Sequence, residues 1–160
     1  VRTGRSVAAR QDVNESLREA AQLLRPWADQ HGVELRLDLA EKLPTLLAVG
    51  DELRLAFFNL GANAIQSCDE GGRVSLQSEA GGSGIRITVQ DDGRGMSDEE
   101  QARAFDPFYS RRENLAGTGL GLTLCHGIVA DHDGKIDVDS HPGAGTRVTV
   151  ELPIERDRRG

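Results

Sequence analysis

"RVSLQSEAGGSGIRITVQDDGRGM", Arg73 to Met96, is the stretch from which the fold can be read. "RVSLQS" and "IRITVQ" alternate apolar and polar residues, the pattern of strands buried on one face. They flank "EAGGSG", so the stretch predicts an antiparallel hairpin with a loose loop. The second strand should end at about Gln90, leaving Asp91 at its tip and two glycines, Gly93 and Gly95, just beyond. Outward from this hairpin the same alternation recurs at Val33, Leu35, Leu37 and Leu39, more briefly in "TLLAV" after Pro44, and in "KIDVDS" and "RVTVEL" joined by "HPGAG".

Helical periodicity fills the intervals. Asn14 reads as an N-cap for a helix with Leu17, Ala20, Ala21, Leu24, Trp27 and Ala28 at 3.6-residue spacing, which Pro26 should kink or end. Asp51 reads as the cap of a second helix running to about Cys68. Ser97 with Glu100 matches a capping box for a short helix. A third long helix follows "GTGLGL", with Leu120, Leu124 and Ile128 on one stripe and Cys125 and Val129 beside it. Hairpin-linked strands outnumber the long helices, so the fold class is α+β. The expected architecture is a two-layer α/β sandwich, a mixed, mostly antiparallel sheet with helices on one face.

Bulk properties narrow the function classes. A chain of 160 residues supports one core of ordinary size. Its 19 Lys and Arg against 26 Asp and Glu give a net charge of −7 with no dense basic block, which argues against nucleic-acid binding. Cys68 and Cys125 form no metal-ligand spacing and suit a reduced, cytoplasmic setting. No apolar run has membrane-spanning length, no signal peptide opens the chain, and the first residue, Val1, is what a segment of a longer protein would show.

Three constellations carry chemistry. In "FFNLGANA", Asn59 and Asn63 lie one helical turn apart, on a face among Phe57, Leu60 and Ala64. Either they are exposed helix residues, or their amide oxygens face a cavity where a neutral oxygen can bind Mg²⁺ without repelling bound phosphates. In "VQDDGRGM", Asp91 is either part of an acidic turn or a carboxylate placed to accept a hydrogen bond from an exocyclic amine such as adenine N6. In "AFDPFYSRRENLAGTGLGL", Phe105 and Phe108 bracket Asp106 and Pro107, and Arg111 with Arg112 follow. The glycines then lead into a helix N-terminus, either as a plain connector or as backbone able to close on phosphate. Common nucleotide and calcium signatures fail: Ile136 follows Gly134-Lys135 where a P-loop needs Ser or Thr, Leu122 replaces the last glycine of a dinucleotide fingerprint, and "DHDGKIDVD" puts Lys135 at a ligating position.

The order is more specific than any one segment. "NLGANAIQS", "DDGRGM", "FDPFYSRR" and "GTGLGL", all between residues 59 and 122, resemble the N, G1, F and G2 boxes of the catalytic ATP-binding domain of sensor histidine kinases. "DHDGKIDVDSHPGAGTRVTVELP" resembles that family's closing hairpin, so the likeness covers nearly the whole chain, with residues 1–154 as the domain and 155–160 as a disordered tail. The resemblance implies the Bergerat ATP-binding fold, with ATP and Mg²⁺ bound. Asn63 takes the place of the Mg²⁺ ligand, with Asn59 beside it, and Asp91 that of the adenine-reading carboxylate. Gly93, Gly95 and Met96 shape that wall, and Thr146 approaches adenine from the last hairpin. Phe105 and Phe108 match the F box, with Arg111 and Arg112 facing phosphate. Gly117, Thr118, Gly119, Leu120, Gly121 and Leu122 match the phosphate-side lid. Gln66, counted with the binding residues, stands where many members carry lysine.

Hydrolysing relatives carry a glutamate where this chain has Asn59, and an amide cannot act as a general base, so slow hydrolysis is implied. Asn59 and Arg112 are then the catalytic candidates. The γ-phosphoryl would pass to a histidine on a separate dimerisation domain and thence to a response regulator. His31, His126, His132 and His141 lack the setting of such an acceptor and read as surface or packing residues. The resemblance further implies a monomeric isolated domain in the cytoplasm, without nucleic-acid or direct membrane contact, whose parent protein could be membrane-anchored. An anti-sigma-factor serine kinase of the same fold and a nucleotide-sensing module without transfer are the alternatives.

Overall fold

In the computed structural model, which describes residues 7–105 and 121–154, the element order is β1 (Ala9–Gln11), α1 (Val13–Gln30), β2 (Glu34–Asp38), β3 (Leu46–Ala48), α2 (Gly50–Ser67), β4 (Arg73–Gly81), β5 (Gly84–Asp91), α3 (Asp98–Ala102), α4 (Gly121–Asp131), β6 (Lys135–Ser140) and β7 (Thr146–Pro153). Five strands form one sheet in the order β2-β4-β5-β7-β6. β2 pairs with β4 in parallel, and the other three ladders are antiparallel. The fold is therefore the α+β arrangement expected, a mixed, mostly antiparallel sheet with helices packed on it.

Period-2 alternation sorts the sheet into two faces. Toward the helices, Leu76, Val89, Val148 and Val138 stand in one cross-strand row, and Ile87, Val150 and Ile136 in the next. Phe57 and Leu60 of α2 and the stripe Leu17, Ala20, Ala21, Leu24 and Ala28 of α1 complete this core, all nearly fully buried. Burying each large side chain contributes roughly 1.5–3 kcal/mol. α1 and α2 approach closely because Gly61 has no Cβ; one built there would collide with Leu24 Cδ1. The opposite sheet face is polar: Glu79, Arg86, Glu151 and Lys135 share one row, with Arg86 bonded to Glu79 and to Glu151.

Several boundaries differ from the sequence reading. Asp12, not Asn14, caps α1: its side chain accepts the Asn14 N–H at 3.0 Å. Asn14 is instead buried, its amide donating to Ala40 O at 2.8 Å and accepting from the Ser78 hydroxyl at 2.6 Å. Pro26 neither ends α1 nor stops it before Gln30. A proline costs roughly 3 kcal/mol within a helix, and the buried stripe on both sides of it outweighs that. α2 begins at Gly50 after Val49, with Asp51 in its first turn, where the carboxylate favours the helix dipole without capping. The loop expected to be loose is tight, because β4 and β5 stay paired up to Gly81 and Gly84. On α4 the inward residues are Cys125, Ile128 and Val129, with buried His132 just past its end, while Leu124 is exposed and Leu120 lies outside the described residues.

The short strand at "TLLAV" is present as β3, but its partner β1 was not expected; the two form a separate antiparallel pair. The capping box at Ser97 and Glu100 is present in full. Among the described residues no helix is long and apolar enough to cross a membrane.

Candidate functional site

At one end of the sheet the inward row turns polar. Val74, Asp91, Thr146 and Ser140 are paired in sequence across β4, β5, β7 and β6, so three polar side chains stand where rows further along are apolar. Asp91 is 7% exposed and Ser140 2%. Burial drives the Asp91 carboxyl above its ordinary value, opposed first by the Gly93 N–H and less by the polar groups of Ser67 and Thr146 nearby. The Gly93 bond is 2.8 Å. A carboxylate offers about four lone-pair sites, so the Gly93 bond leaves room for further donors.

The glycine turn after β5 is fixed by close backbone approach. A Cβ at Gly93 would meet Ser67 O, and the Arg94 N–H donates to that same carbonyl at 3.0 Å. Gly95 has φ 72°, and a Cβ there would meet His141 O. The Met96 N–H then donates to Ser140 Oγ at 2.8 Å, clipping the turn to the closing hairpin.

α2 supplies the neighbouring wall. Asn59, Asn63 and Ser67 are spaced four apart on one helical stripe, which ends where Ser67 meets Asp91. Asn59 is buried and its Nδ2 donates to Leu55 O at 2.9 Å. Asn63 is half-buried, and its amide forms no hydrogen bond among the described residues. Gln66 is half-buried on the same helix.

Phe105 marks the end of the described part after α3. Its ring centroid lies 5.1 Å from that of His126 on α4, and its carbonyl accepts the Thr123 hydroxyl at 3.1 Å. Leu122 packs against the core from the start of α4. Phe108, Arg111, Arg112, Gly117, Thr118, Gly119 and Leu120 lie outside the described residues, as does the tail expected from 155. Gly121 opens α4.

Asp91, Gly93, Gly95, Met96 and Thr146 are thus brought together, and α2 carries Asn59, Asn63 and Gln66 to the same end. Sequence reasoning missed Ser67, Ser140, Gln101 and the Phe105 partner His126. For Ser140 a signal exists: in "KIDVDS" it occupies the inward place after Ile136 and Val138, and a polar residue there asks for partners. Of the histidines, His132 is buried in the packing, while His31 and His141 are exposed. His132 Nε2 accepts the Val49 N–H at 3.1 Å, so Nδ1 is the nitrogen that donates to Ile128 O, at 2.8 Å. Both thiols are pushed up to about 12, chiefly by burial, and stay protonated at neutral pH.

The family model described as histidine kinase-, DNA gyrase B-, and HSP90-like ATPase matches residues 48–156. Sensor histidine kinase ZraS of Escherichia coli O157:H7 is 34% identical over 148 residues, covering 92% of this chain and 32% of that protein. Among solved structures, the nucleotide-free catalytic domain of histidine kinase ThkA superposes with a TM-score of 0.83 at 26% identity, covering 92% of this chain and 96% of that one. Full-length ShkA in complex with AMPPNP gives 0.79 at 32% identity, covering 91% of this chain and 31% of that one. The chain spans between about a fifth and a third of the length of the curated relatives first matched, at 24%, 32%, 31% and 19%.

Proposed function

Because the chain belongs to the histidine kinase-, DNA gyrase B-, and HSP90-like ATPase family, we propose that it is the ATP-binding catalytic domain of a sensor histidine kinase, spanning residues 1–154. It binds Mg-ATP and donates the γ-phosphoryl to a histidine on a separate dimerisation domain, from which a response regulator takes it. The observation that carries this is the buried Asp91 carboxylate. The Gly93 N–H holds it at 2.8 Å, and it sits beside Thr146 at the end of a helix stripe whose Asn63 amide has no partner among the described residues. A carboxylate that stays buried against its own solvation needs a reason, and a donor from an adenine amino group supplies one.

The donor set also fits magnesium. Among the described residues no group of three or more His, Cys, Asp or Glu side chains could hold a metal. A hard cation here would therefore take the Asn63 amide oxygen together with phosphate oxygens, the pattern Mg²⁺ favours. When bound, it would neutralise charge on the phosphates. Asp91 and Thr146 read the base, Gly93, Gly95 and Met96 form the wall beside it, and Gln66 lines α2. Phe105 and Phe108 are assigned to the F box, and Gly117, Gly119 and Gly121 with Arg111 and Arg112 are assigned to the phosphates. Asn59 holds its place without offering a base to water, so catalysis rests on positioning and charge.

The test is to supply this chain, Mg²⁺ and γ-labelled ATP to a histidine-bearing dimerisation domain of a related kinase. The expected result is label on that domain in an acid-labile, base-stable form, lost in Arg112→Ala more severely than ADP binding is. Label on serine would favour the anti-sigma-factor kinase reading. Saturable ATP binding without any transfer would favour a nucleotide-sensing module. Asn63→Ala should weaken ATP binding about tenfold with Mg²⁺ present, the worth of one ligand contact, and leave binding in EDTA unchanged.

A further inference from the structure

We infer that Ser140 is a positioning residue that fixes which way the Thr146 hydroxyl points, and through it the preference of this site for 6-amino over 6-oxo purines. The inference rests on the adenine role assigned above to Asp91 and Thr146.

It follows from counting protons. A serine hydroxyl has one proton and two lone pairs. Ser140 Oγ has three partners: the Met96 N–H at 2.8 Å, the Gly145 carbonyl at 3.0 Å and the Thr146 hydroxyl at 2.8 Å. Met96 N–H only donates, so it takes one lone pair. The Gly145 carbonyl only accepts, so it takes the proton. One lone pair remains, and the contact with Thr146 is satisfied only if Thr146 donates. The other arrangement gives the Ser140 proton to Thr146 and withdraws this donor from the carbonyl of buried Gly145, a cost of about 1–3 kcal/mol for a group left unpaired. Ser140 itself is held on its far side, its N–H donating to Gln101 Oε1 on α3 at 2.6 Å.

Thr146 faces Asp91 across the β5–β7 ladder. With its proton directed to Ser140, the Thr146 oxygen offers only lone pairs, and the Asp91 carboxylate beside it does the same. The wall is acceptor-only. A 6-amino group brings two N–H donors to it; a 6-oxo group brings an acceptor and is repelled. Without Ser140 the Thr146 hydroxyl is free to rotate and donate, and a 6-oxo purine gains a partner it otherwise lacks.

The experiment compares ATP and ITP, which differ at this edge of the base, by calorimetry with Mg²⁺ on the wild-type chain and on Ser140→Ala. The wild type should prefer ATP strongly. In Ser140→Ala the ATP-to-ITP affinity ratio should fall about tenfold, the size of one hydrogen bond redirected, whatever happens to ATP affinity as such. A ratio that stays at the wild-type value while ATP affinity or melting temperature drops would mean a structural role only, and the inference fails. If Ser140→Ala does not fold, Ser140→Cys fills the same space with a poor hydrogen-bonding atom and carries the same readout. Failure of the underlying adenine reading looks different: the wild type itself would bind neither nucleotide or fail to distinguish them.

Discussion

β5 has two ends that handle charge in opposite ways. Near its start, Arg86 lies on the outward face between Glu79 at 2.9 Å and Glu151 at 3.1 Å, all three side chains about half exposed. At its finish, Asp91 points inward at 7% exposure, and the groups that donate to it are neutral. Water screens the first arrangement, so forming it costs little and gains little. The second forfeits carboxylate solvation and recovers only part of it through hydrogen bonds. Folding alone would not select the Asp91 end. A charge kept where it weakens the fold marks the end of the sheet where binding is expected.

The largest effect should come from the turn that gives the Asp91 end its shape. Gly95→Ala forces a side chain onto φ 72° and into His141 O, combining left-handed strain with overpacking for a loss of roughly 2–5 kcal/mol. In a domain of this size that lowers the melting temperature by about 10 °C, and ATP binding should fail with it. A stable, binding-competent Gly95→Ala protein would show that the turn is not the rigid wall described.

Asp91→Asn should separate binding from stability. Its folded pKa lies above the ordinary value, so between the unfolded and folded values the native state holds more protons than the unfolded one. Stability then falls as pH rises through that window, and at neutral pH the ionised carboxylate carries the full cost. Removing the charge should leave the neutral-pH melting temperature unchanged or raised while ATP affinity drops about a hundredfold, the loss of a charge-assisted bond with its donor stranded. In the wild type, affinity should decline on acidification through a pH above the usual carboxylate range. A lower melting temperature with unchanged affinity would make Asp91 a structural residue and erase the contrast between the ends.

How much of this is legible without coordinates depends on range. The β4–β5 hairpin, the Ser97 capping box and the tip position of Asp91 follow from neighbours within a few residues, and all three stand as expected. β1 does not follow, because Ala9–Gln11 shows no alternation and becomes a strand only through Leu46–Ala48. Asn14 resembles a cap in sequence because its true partners, Ala40 and Ser78, are 26 and 64 residues away. Ser140 is hidden for a similar reason on one side, since Met96 lies 44 residues back, although its inward place among Ile136 and Val138 is a usable clue. Local physics identifies the groups that could touch a ligand. The residues that aim them are set by pairings between distant segments.

The opposite end of the sheet offers smaller tests. Gly82→Ala meets the same left-handed constraint as Gly95, at φ 56°, but a Cβ there has open space around it. Only backbone strain remains, about 1 kcal/mol, so the melting temperature should fall by a few degrees with ATP affinity unchanged. A loss as large as that of Gly95→Ala would mean that strain, and not the collision with His141, dominates both.

Arg86→Ala should do least. The Glu79–Arg86–Glu151 side chains are about half exposed, and the hydrogen bonds that raise the Arg86 pKa come from carboxylates that water also reaches. Removing the arginine leaves two exposed carboxylates with solvent in its place and disturbs no inward residue. The melting temperature should shift by no more than its measurement error at moderate salt, and ATP affinity should be unchanged. A substantial destabilisation that persists at high salt would show that this row is more than screened surface charge. Arg86 would then matter to the fold as much as Asp91 matters to binding, and exposure would no longer explain why the two ends of one strand differ.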